Sequence, residues 1–162
     1  IEDAWIEMAR IGERVERLQH TRDLLSRIQD VWGNPKPERG KAGYVVWPSP
    51  WMVAGQDTYI HDVMRHWGIR NAIGKDVEGR YPSTGDQSDV GATAAYQWLL
   101  PSEPFPFRTK HLHAFQSTHS NRRFRLVDGE SFSWYGSRML HAAEHLEEVA
   151  QWVSLSPKHQ LR

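Results

Sequence analysis

The sequence predicts an α/β fold, in which a long backbone helix is followed by a Rossmann-like lobe with a mainly parallel sheet flanked by helices. Two observations predict this class. Residues 1–33 carry apolar side chains at steps of three and four, which is typical of one long amphipathic helix. In residues 41–153, short runs rich in β-branched and aromatic residues alternate with helical patterns, and this alternation favours parallel strands joined by helices.

Composition and charge narrow the function classes. The chain has 162 residues, which fits one domain, and its 39% hydrophobic and 25% charged content is typical of a globular protein. Lys and Arg together number 20, as do Asp and Glu, so no net positive charge favours a nucleic-acid partner. The chain has no cysteine, which excludes disulfides, thiolate zinc sites and cysteine nucleophiles. No apolar run approaches the roughly 20 residues that span a bilayer.

The first predicted element is a helix over residues 1–33. It ends where Gly33, Asn34 and Pro35 terminate the apolar periodicity. A single apolar stripe with polar residues elsewhere predicts a strut on the surface rather than a core helix. Because one lobe covers only part of such a stripe, we expect the exposed remainder to favour self-association. The pattern opens directly inside a helix at Ile1, so we interpret the chain as a piece of a longer or processed protein.

The lobe follows as alternating strands and helices. The first buried strand is predicted at 44–47, where Tyr-Val-Val-Trp forms a β-rich apolar run that Pro48 ends. Asp57 is the expected N-cap of the next helix, which Gly68 closes. Segments rich in Gly and Pro separate the remaining elements, and a polar tail covers 154–162. In chain order, these elements are helix 58–67, short strand 70–73, helix 86–95, strand 96–100, helix 108–116, strand 124–127 and helix 137–153.

Four loops that leave this sheet carry aromatic and proline residues. In open α/β sheets, ligands bind outside the carboxyl ends of the strands. Loops ordinarily favour small polar residues, because they face water. One loop aromatic usually packs beneath its own loop, but aromatic residues in four loops on one edge favour a binding surface for a large, flat, partly apolar ligand. The residues concerned are Trp51 with Met52, Tyr81, Phe105, and Trp134 with Tyr135.

The same loops lack a recognisable catalytic motif. There is no Gly-rich phosphate-binding loop and no nucleophile elbow, so we predict a binding protein rather than an enzyme. The alternative is a carboxylate pair of Glu103 and Glu130, of the kind that glycosidases use. The nine His residues raise a metal hypothesis, but no set of three or four ligands has a recognisable spacing. We expect the two closest His pairs to lie on solvated helix faces: His141 with His145, and His111 with His113.

Two loop sequences carry a family resemblance. The runs 99–107 (LLPSEPFPF) and 127–138 (VDGESFSWYGSR) resemble the C-terminal lobe of the helical-backbone metal receptors, which are periplasmic substrate-binding proteins for cobalamin and ferric siderophores. Segment 53–60 and the pair Tyr81-Pro82 fit the same pattern. The resemblance implies two α/β lobes that hold the ligand between them with little hinge motion.

The domain organisation follows from that resemblance. Residues 1–33 are expected to be the interlobe backbone helix, and residues 41–153 the C-terminal ligand-binding lobe, followed by the tail at 154–162. The N-terminal lobe of the family is then absent from this sequence, so these residues supply one half of a cleft.

The resemblance also implies which residues contact the ligand. Trp51 or Met52 takes the place of the first apolar contact, and Tyr81 that of an aromatic residue before a proline. Glu130 falls near an acidic ligand contact, whereas Trp134 stands where the cobalamin receptor carries a basic one. Loop position alone adds two further expected ligand contacts, Phe105 and Tyr135, and Glu103 is expected to contact the ligand as a hydrogen-bond acceptor.

The implied function is capture of a ligand without chemistry, by a substrate-binding protein of an ABC importer in the periplasm or on a cell-surface lipoprotein. A cobalamin or other corrinoid is the first expectation, and a ferric siderophore or heme the next. No intrinsic cofactor is expected, since the metal arrives within the ligand. The expected partner is the permease, docked through Asp89, although helix capping explains Asp86 and Asp89 equally well. Outside transport, a carbohydrate-active enzyme and a protein-interaction domain remain as alternatives.

Overall fold

A mainly parallel sheet forms the centre of the computed structural model, which describes residues 1–83 and 96–155. The strand order is β2-β1-β4-β5, and β3 pairs with the first residues of β1. Strand β1 runs parallel to β3 and β4, and β4 parallel to β5, whereas the short β2 runs antiparallel to β1. The strands are β1 (Gly40–Pro48), β2 (Trp51–Val53), β3 (Ile69–Asn71), β4 (Gln97–Pro101) and β5 (Arg123–Val127).

Helices cover both faces of the sheet, as the sequence predicts. On β1, Tyr44 and Val46 point to one core cluster and Val45 to the other, since successive side chains of a strand alternate. The first cluster receives side chains from α1, α2, α3 and α6, and the second receives Phe115 from α4. The helices are α1 (Glu2–Arg14), α2 (Leu18–Trp32), α3 (Tyr59–His66), α4 (Thr109–Thr118), α5 (Glu130–Ser133) and α6 (Met139–Ser154).

The predicted single helix over residues 1–33 is wrong, because the chain breaks it between α1 and α2. Glu16 adopts a left-handed backbone conformation with φ of 54°, and the Arg17 N–H donates to the Gly12 carbonyl at 2.8 Å. The two helices fold back on each other, so that Trp5 of α1 and Gly33 after α2 line one cavity. Apolar spacing continues through the break, which is why periodicity alone predicts one helix.

Close packing at the hairpin requires a glycine. A Cβ atom built on Gly12 would lie 2.2 Å from the Thr21 hydroxyl oxygen. Any larger residue would therefore push α1 away from α2. Of the predicted apolar stripe, Ile11 and Val15 stay exposed, whereas Met8, Ile28 and Trp32 are buried, so the stripe lies on the surface only in part.

Trp32 fixes the end of α2 to the lobe. Its ring is fully buried, packs against His66 and Trp67, and donates from the indole nitrogen to the Met139 carbonyl at 2.8 Å. Truncating an aromatic residue in such a core typically costs about 3–5 kcal/mol. The end of α2 is thereby held against α3 and α6.

Local differences from the predictions concern caps and short elements. Thr58, not Asp57, caps α3, because its hydroxyl accepts the His61 N–H at 3.1 Å. Strand β2 and helix α5 occupy segments predicted as loops. The predicted helix over 86–95, with Asp86 and Asp89, lies outside the described residues, as does most of the tail. Across residues 1–83 and 96–155, no helix is long and apolar enough to cross a membrane.

Candidate functional site

A concavity of about 490 Å³ lies where the carboxyl ends of the parallel strands meet. It opens at the end of β1 and at the loop that leaves β4, which is the edge where ligands bind in sheets of this kind. We call it the apolar cavity, because its walls are mainly hydrophobic. It is lined by Val46, Trp47, Met52, Ile60, Tyr81, Glu103, Pro104 and Ser133.

Backbone pairing brings the segments that carry two of the predicted ligand contacts, Met52 and Tyr81, side by side. The segment 80–83 runs beside β2, where Val53 N–H donates to the Pro82 carbonyl at 3.2 Å and Gly55 N–H to the Arg80 carbonyl at 2.8 Å. Tyr81 is 45% exposed, so its ring remains available at the rim. The pairing therefore holds Tyr81 beside the residues that follow Met52.

Trp47 is a wall of this cavity that the sequence analysis did not single out. Its ring is 42% exposed and packs edge-on against Phe105, with ring centroids 5.2 Å apart. Phe105 packs in turn on Phe107 at 4.8 Å. The predicted contact Phe105 thus supports the wall from behind and does not line the cavity itself. The sequence predicts a core position for Trp47, because this residue lies within the apolar run of the first strand.

Among the described residues, Glu103 brings the only charge into the lining of the apolar cavity. The Trp134 indole nitrogen and the Ser133 hydroxyl both donate to its Oε1 atom, the latter at 3.1 Å. The Ser133 hydroxyl is also 2.8 Å from the Gly129 carbonyl, so one proton is shared between two acceptors. The carboxylate is therefore held at the cavity wall by groups from α5 and the residue that follows it.

The loop that carries Glu103 is packed directly on the loop that leaves β5. A Cβ atom built on Gly129 would lie 2.7 Å from Glu103 Cγ and 2.8 Å from its carbonyl oxygen. The Ser102 hydroxyl accepts the Gly129 N–H at 2.9 Å, and the Ser102 N–H donates to the Val127 carbonyl at 3.0 Å. Because only glycine permits this approach, the two loops interlock and fix the backbone beneath Glu103.

A second, more polar concavity of about 390 Å³ adjoins the first, and the two share Ser133. Tyr135 lines this polar cavity, and its ring meets that of Tyr59 edge-on at 6.1 Å. Burial first, and then the charge of Asp62, raise the pKa of the Tyr59 phenol, which stays protonated as a donor. The predicted ligand contact Tyr135 therefore lies at the same edge of the sheet, but it lines the polar cavity and not the apolar cavity.

Two predicted ligand contacts occupy other places. Trp51 is 3% exposed, and its ring packs against Trp98 at 5.9 Å and Phe115 at 5.1 Å in the core on the far face. The prediction that Trp51 contacts ligand is therefore corrected, since Met52 is the residue of that pair that reaches the cavity. Trp134 is 55% exposed at the rim, where its indole nitrogen holds Glu103.

Glu130 belongs to an ion-pair network beside the cavity. Its carboxylate lies 2.7 Å from the Arg138 guanidinium, which also lies 3.4 Å from the Asp128 carboxylate. Burial alone would raise the pKa of Asp128, but the hydrogen bond from Ser131 and the charge of Arg138 outweigh it and lower that pKa. Glu103 and Glu130 therefore have separate partners, and their contacts give no support to a paired catalytic role.

Each predicted His pair is solvated only in part, with one exposed and one partly buried member. His145 accepts the Asp128 N–H at 3.0 Å through Nε2, and its ring packs edge-on against Phe132. His111 accepts the Arg108 N–H at 3.0 Å and so caps α4. His141 and His113 are exposed. Within the part of the chain that the structure describes, no three His, Asp or Glu residues are grouped to hold a metal ion.

The geometry of this edge suits binding of an extended apolar surface. Two aromatic rings and a methionine form the walls, and one fixed carboxylate supplies a polar contact that orients what lies between them. The permease-contact residue expected at Asp89 falls in the segment that the structure leaves out.

No model of a known protein family matches the chain, and neither does any curated protein. Solved structures do match. The chain is similar over 94% of its length to the periplasmic heme-binding protein BhuT in complex with two hemes, with a TM-score of 0.66 and 19% identity. It is similar over 87% to the periplasmic vitamin B12 binding protein BtuF of Vibrio cholerae, with a TM-score of 0.56 and 13% identity.

A third neighbour is an ABC-type Fe3+-hydroxamate transport system from Saccharomonospora viridis, matched over 93% of the chain with a TM-score of 0.58 and 15% identity. The chain spans 62%, 55% and 55% of the lengths of these three structures, in the order given. The resemblance to the helical-backbone metal receptors is therefore confirmed at the level of the fold, for a portion of the length of such proteins.

Proposed function

We propose that the chain is the C-terminal ligand-binding lobe of a periplasmic substrate-binding protein of an ABC importer, and that it binds a metal chelate. The observation that carries the proposal is the position of the apolar cavity. It lies at the carboxyl edge of a sheet whose fold is shared with heme-, B12- and Fe3+-hydroxamate-related proteins. Its aromatic walls suit a large ring or chelate face.

The ligand is proposed to be a corrinoid first, with heme or a ferric siderophore as the other members of the class. The metal would arrive inside the ligand, so the protein itself needs no resident cofactor. Trp47, Met52 and Tyr81 would cover an apolar face of the chelate, and Glu103 would meet a polar group on its edge. Glu130 and Tyr135 would extend the contact along the same edge.

The proposed partners follow from this assignment. A permease would receive the ligand, and Asp89 is the proposed docking residue. A second lobe would close the other side of the apolar cavity, supplied by a further segment of the protein or by a second copy through the exposed stripe of α1. Localisation in the periplasm or on a cell-surface lipoprotein belongs to the same proposal.

The test is a separate titration of the chain with each of cyanocobalamin, hemin and ferrioxamine B. Tryptophan fluorescence and visible absorption report binding. We expect saturable binding of one of the three. Tyr81→Ala and Trp47→Ala should each weaken it about 5- to 30-fold, since each removes about 1–2 kcal/mol of ring contact.

The matched control is Val31→Ala, which shortens a similarly exposed apolar side chain on α2 that does not line the cavity. Its affinity should equal that of the wild type. Absence of saturable binding for all three chelates, or wild-type affinity in both cavity variants, would contradict the proposal.

A further inference from the structure

In the described part of the chain, the apolar cavity combines neutral walls with a single carboxylate. Apart from the phenol of Tyr81 and the hydroxyl of Ser133, its other side chains are apolar or, like that of Trp47, largely so. Glu103 is half-buried at its wall. A charge in such a place interacts more strongly with a ligand than one in open water, because the surrounding dielectric constant is lower.

The Glu103 carboxylate is oriented by the protein. Both donors that reach it, from Trp134 and Ser133, bind the same oxygen, Oε1. Among the described residues, nothing donates to Oε2. The interlocked Gly129 backbone prevents the Glu103 loop from moving back from the cavity. One acceptor oxygen with a fixed direction is therefore left for a ligand.

No cation in the described lining offsets this charge. The neighbouring guanidinium of Arg138 is engaged by Glu130 at 2.7 Å and Asp128 at 3.4 Å. Arg80 donates to the Asp57 carbonyl at 2.8 Å and lines the polar cavity instead. A ligand carboxylate placed at Glu103 would thus meet a like charge without a free basic partner on this wall.

We propose that Glu103 makes the site selective for chelates whose edge presents neutral N–H donors or positive charge, and that it discriminates against chelates that present carboxylates there. This inference rests on the proposed function. An amide N–H would donate to Oε2 in a charge-assisted hydrogen bond, which is stronger than a bond between neutral groups. A carboxylate would bring repulsion and would leave its own charge poorly solvated.

Two corrinoid probes separate the two cases. Dicyanocobinamide carries amide side chains on the corrin ring, whereas dicyanocobyrinic acid carries carboxylates at the same positions. Visible-absorption titration of the wild type should give a Kd at least about tenfold lower for the amide probe. Glu103→Gln removes the charge at almost constant volume, so the ratio of the two Kd values should fall toward one. Glu103→Lys should reverse the preference.

The control variant is Glu144→Gln, which removes an exposed carboxylate on α6 that does not line the apolar cavity, and it should leave the ratio unchanged. Circular dichroism and a melting curve establish that each variant is folded. Similar Kd values of the two probes for the wild type, or an unchanged ratio in Glu103→Gln, would overturn the selectivity while leaving the chelate-binding function in place. Failure of both corrinoids, hemin and ferrioxamine B to bind would overturn the function as well.

Discussion

Trp32 and Tyr44 are both fully buried in the core, but their polar side-chain atoms differ in hydrogen bonding. The Trp32 indole nitrogen donates to a backbone carbonyl, whereas the Tyr44 hydroxyl finds no partner within the described residues. Burial first, and then the charges of Glu103 and Asp128, raise the pKa of Tyr44, so its hydroxyl remains protonated. A buried donor without a partner costs about 1–3 kcal/mol.

Tyr44→Phe should therefore leave the free energy of unfolding unchanged or raise it by about 1 kcal/mol, because it removes the unpaired hydroxyl and keeps the ring contact with Phe132. Urea unfolding followed by circular dichroism measures the change. Trp32→Phe is the contrasting variant and should destabilise, since it leaves the Met139 carbonyl without its donor. A clear loss of stability in Tyr44→Phe would mean that the hydroxyl is bonded.

The buried imidazoles predict how stability depends on pH. Burial lowers the pKa of His145, although Asp128 opposes this, and burial also lowers the pKa of His66. Protons then bind the unfolded state more readily than the folded one. Stability from these groups is complete above their ordinary pKa of about 6.5 and is lost as the pH falls from there toward the lowered folded values.

We expect the urea concentration at the unfolding midpoint to decrease as the pH is lowered from 7.5 to 5. His145→Gln keeps an acceptor for the Asp128 N–H but cannot take up a proton, so its midpoint should fall less over the same interval. The exposed His141 on the same helix provides the control, His141→Gln, with a wild-type profile. Identical slopes for His145→Gln and the wild type would show that His145 does not contribute.

The residues of the site differ in how far sequence predicts them. Met52, Tyr81 and Glu103, which line the apolar cavity, can be predicted because their loops follow strands, and loop position decides which edge a residue reaches. The sequence does not show which of Trp47 and Trp51 reaches the cavity, since the strand-like run and the loop each contain a tryptophan. Only the β2 hairpin determines that Trp51 turns into the core and Trp47 to the cavity.

At the scale of the elements, the break between α1 and α2 is the largest departure from the predictions. The strands and the long helices of the lobe follow from apolar runs and Gly or Pro boundaries. The break leaves no such mark, because Val15, Glu16 and Arg17 are acceptable within a helix. Contact of Gly12 with Thr21 and packing of both helices on the lobe favour the hairpin over the continuous helix.

Glu16→Gly distinguishes the two arrangements. In the hairpin, Glu16 has a φ of 54°, which glycine adopts without strain, so the variant should keep its stability or gain up to about 1 kcal/mol. In a continuous helix the same change would cost about 1 kcal/mol. Glu13→Gly, an exposed site inside α1, is the matched control and should lose about that amount. Equal losses in both variants would contradict the break.

At the scale of the whole molecule, the apolar cavity and the polar cavity lie next to each other at the carboxyl edge of the sheet. Exposed apolar residues of α1 lie on the surface. The fold class followed from alternation of strands and helices, and the solved neighbours share it. The lining of the apolar cavity could not be predicted from the sequence, because it depends on which loop side chains turn outward. Chelate binding at the apolar cavity is the central claim.

The eight tryptophans of the chain allow the most direct test of that claim. Each indole N–H gives its own signal in a nitrogen–proton NMR spectrum of ¹⁵N-labelled protein. On titration with dicyanocobinamide, the signals of Trp47 and Trp134 should shift and saturate together, while those of Trp5, Trp32 and Trp152 stay in place. A titration that moves the signal of Trp5, Trp32 or Trp152 and leaves Trp47 and Trp134 unchanged would contradict the account.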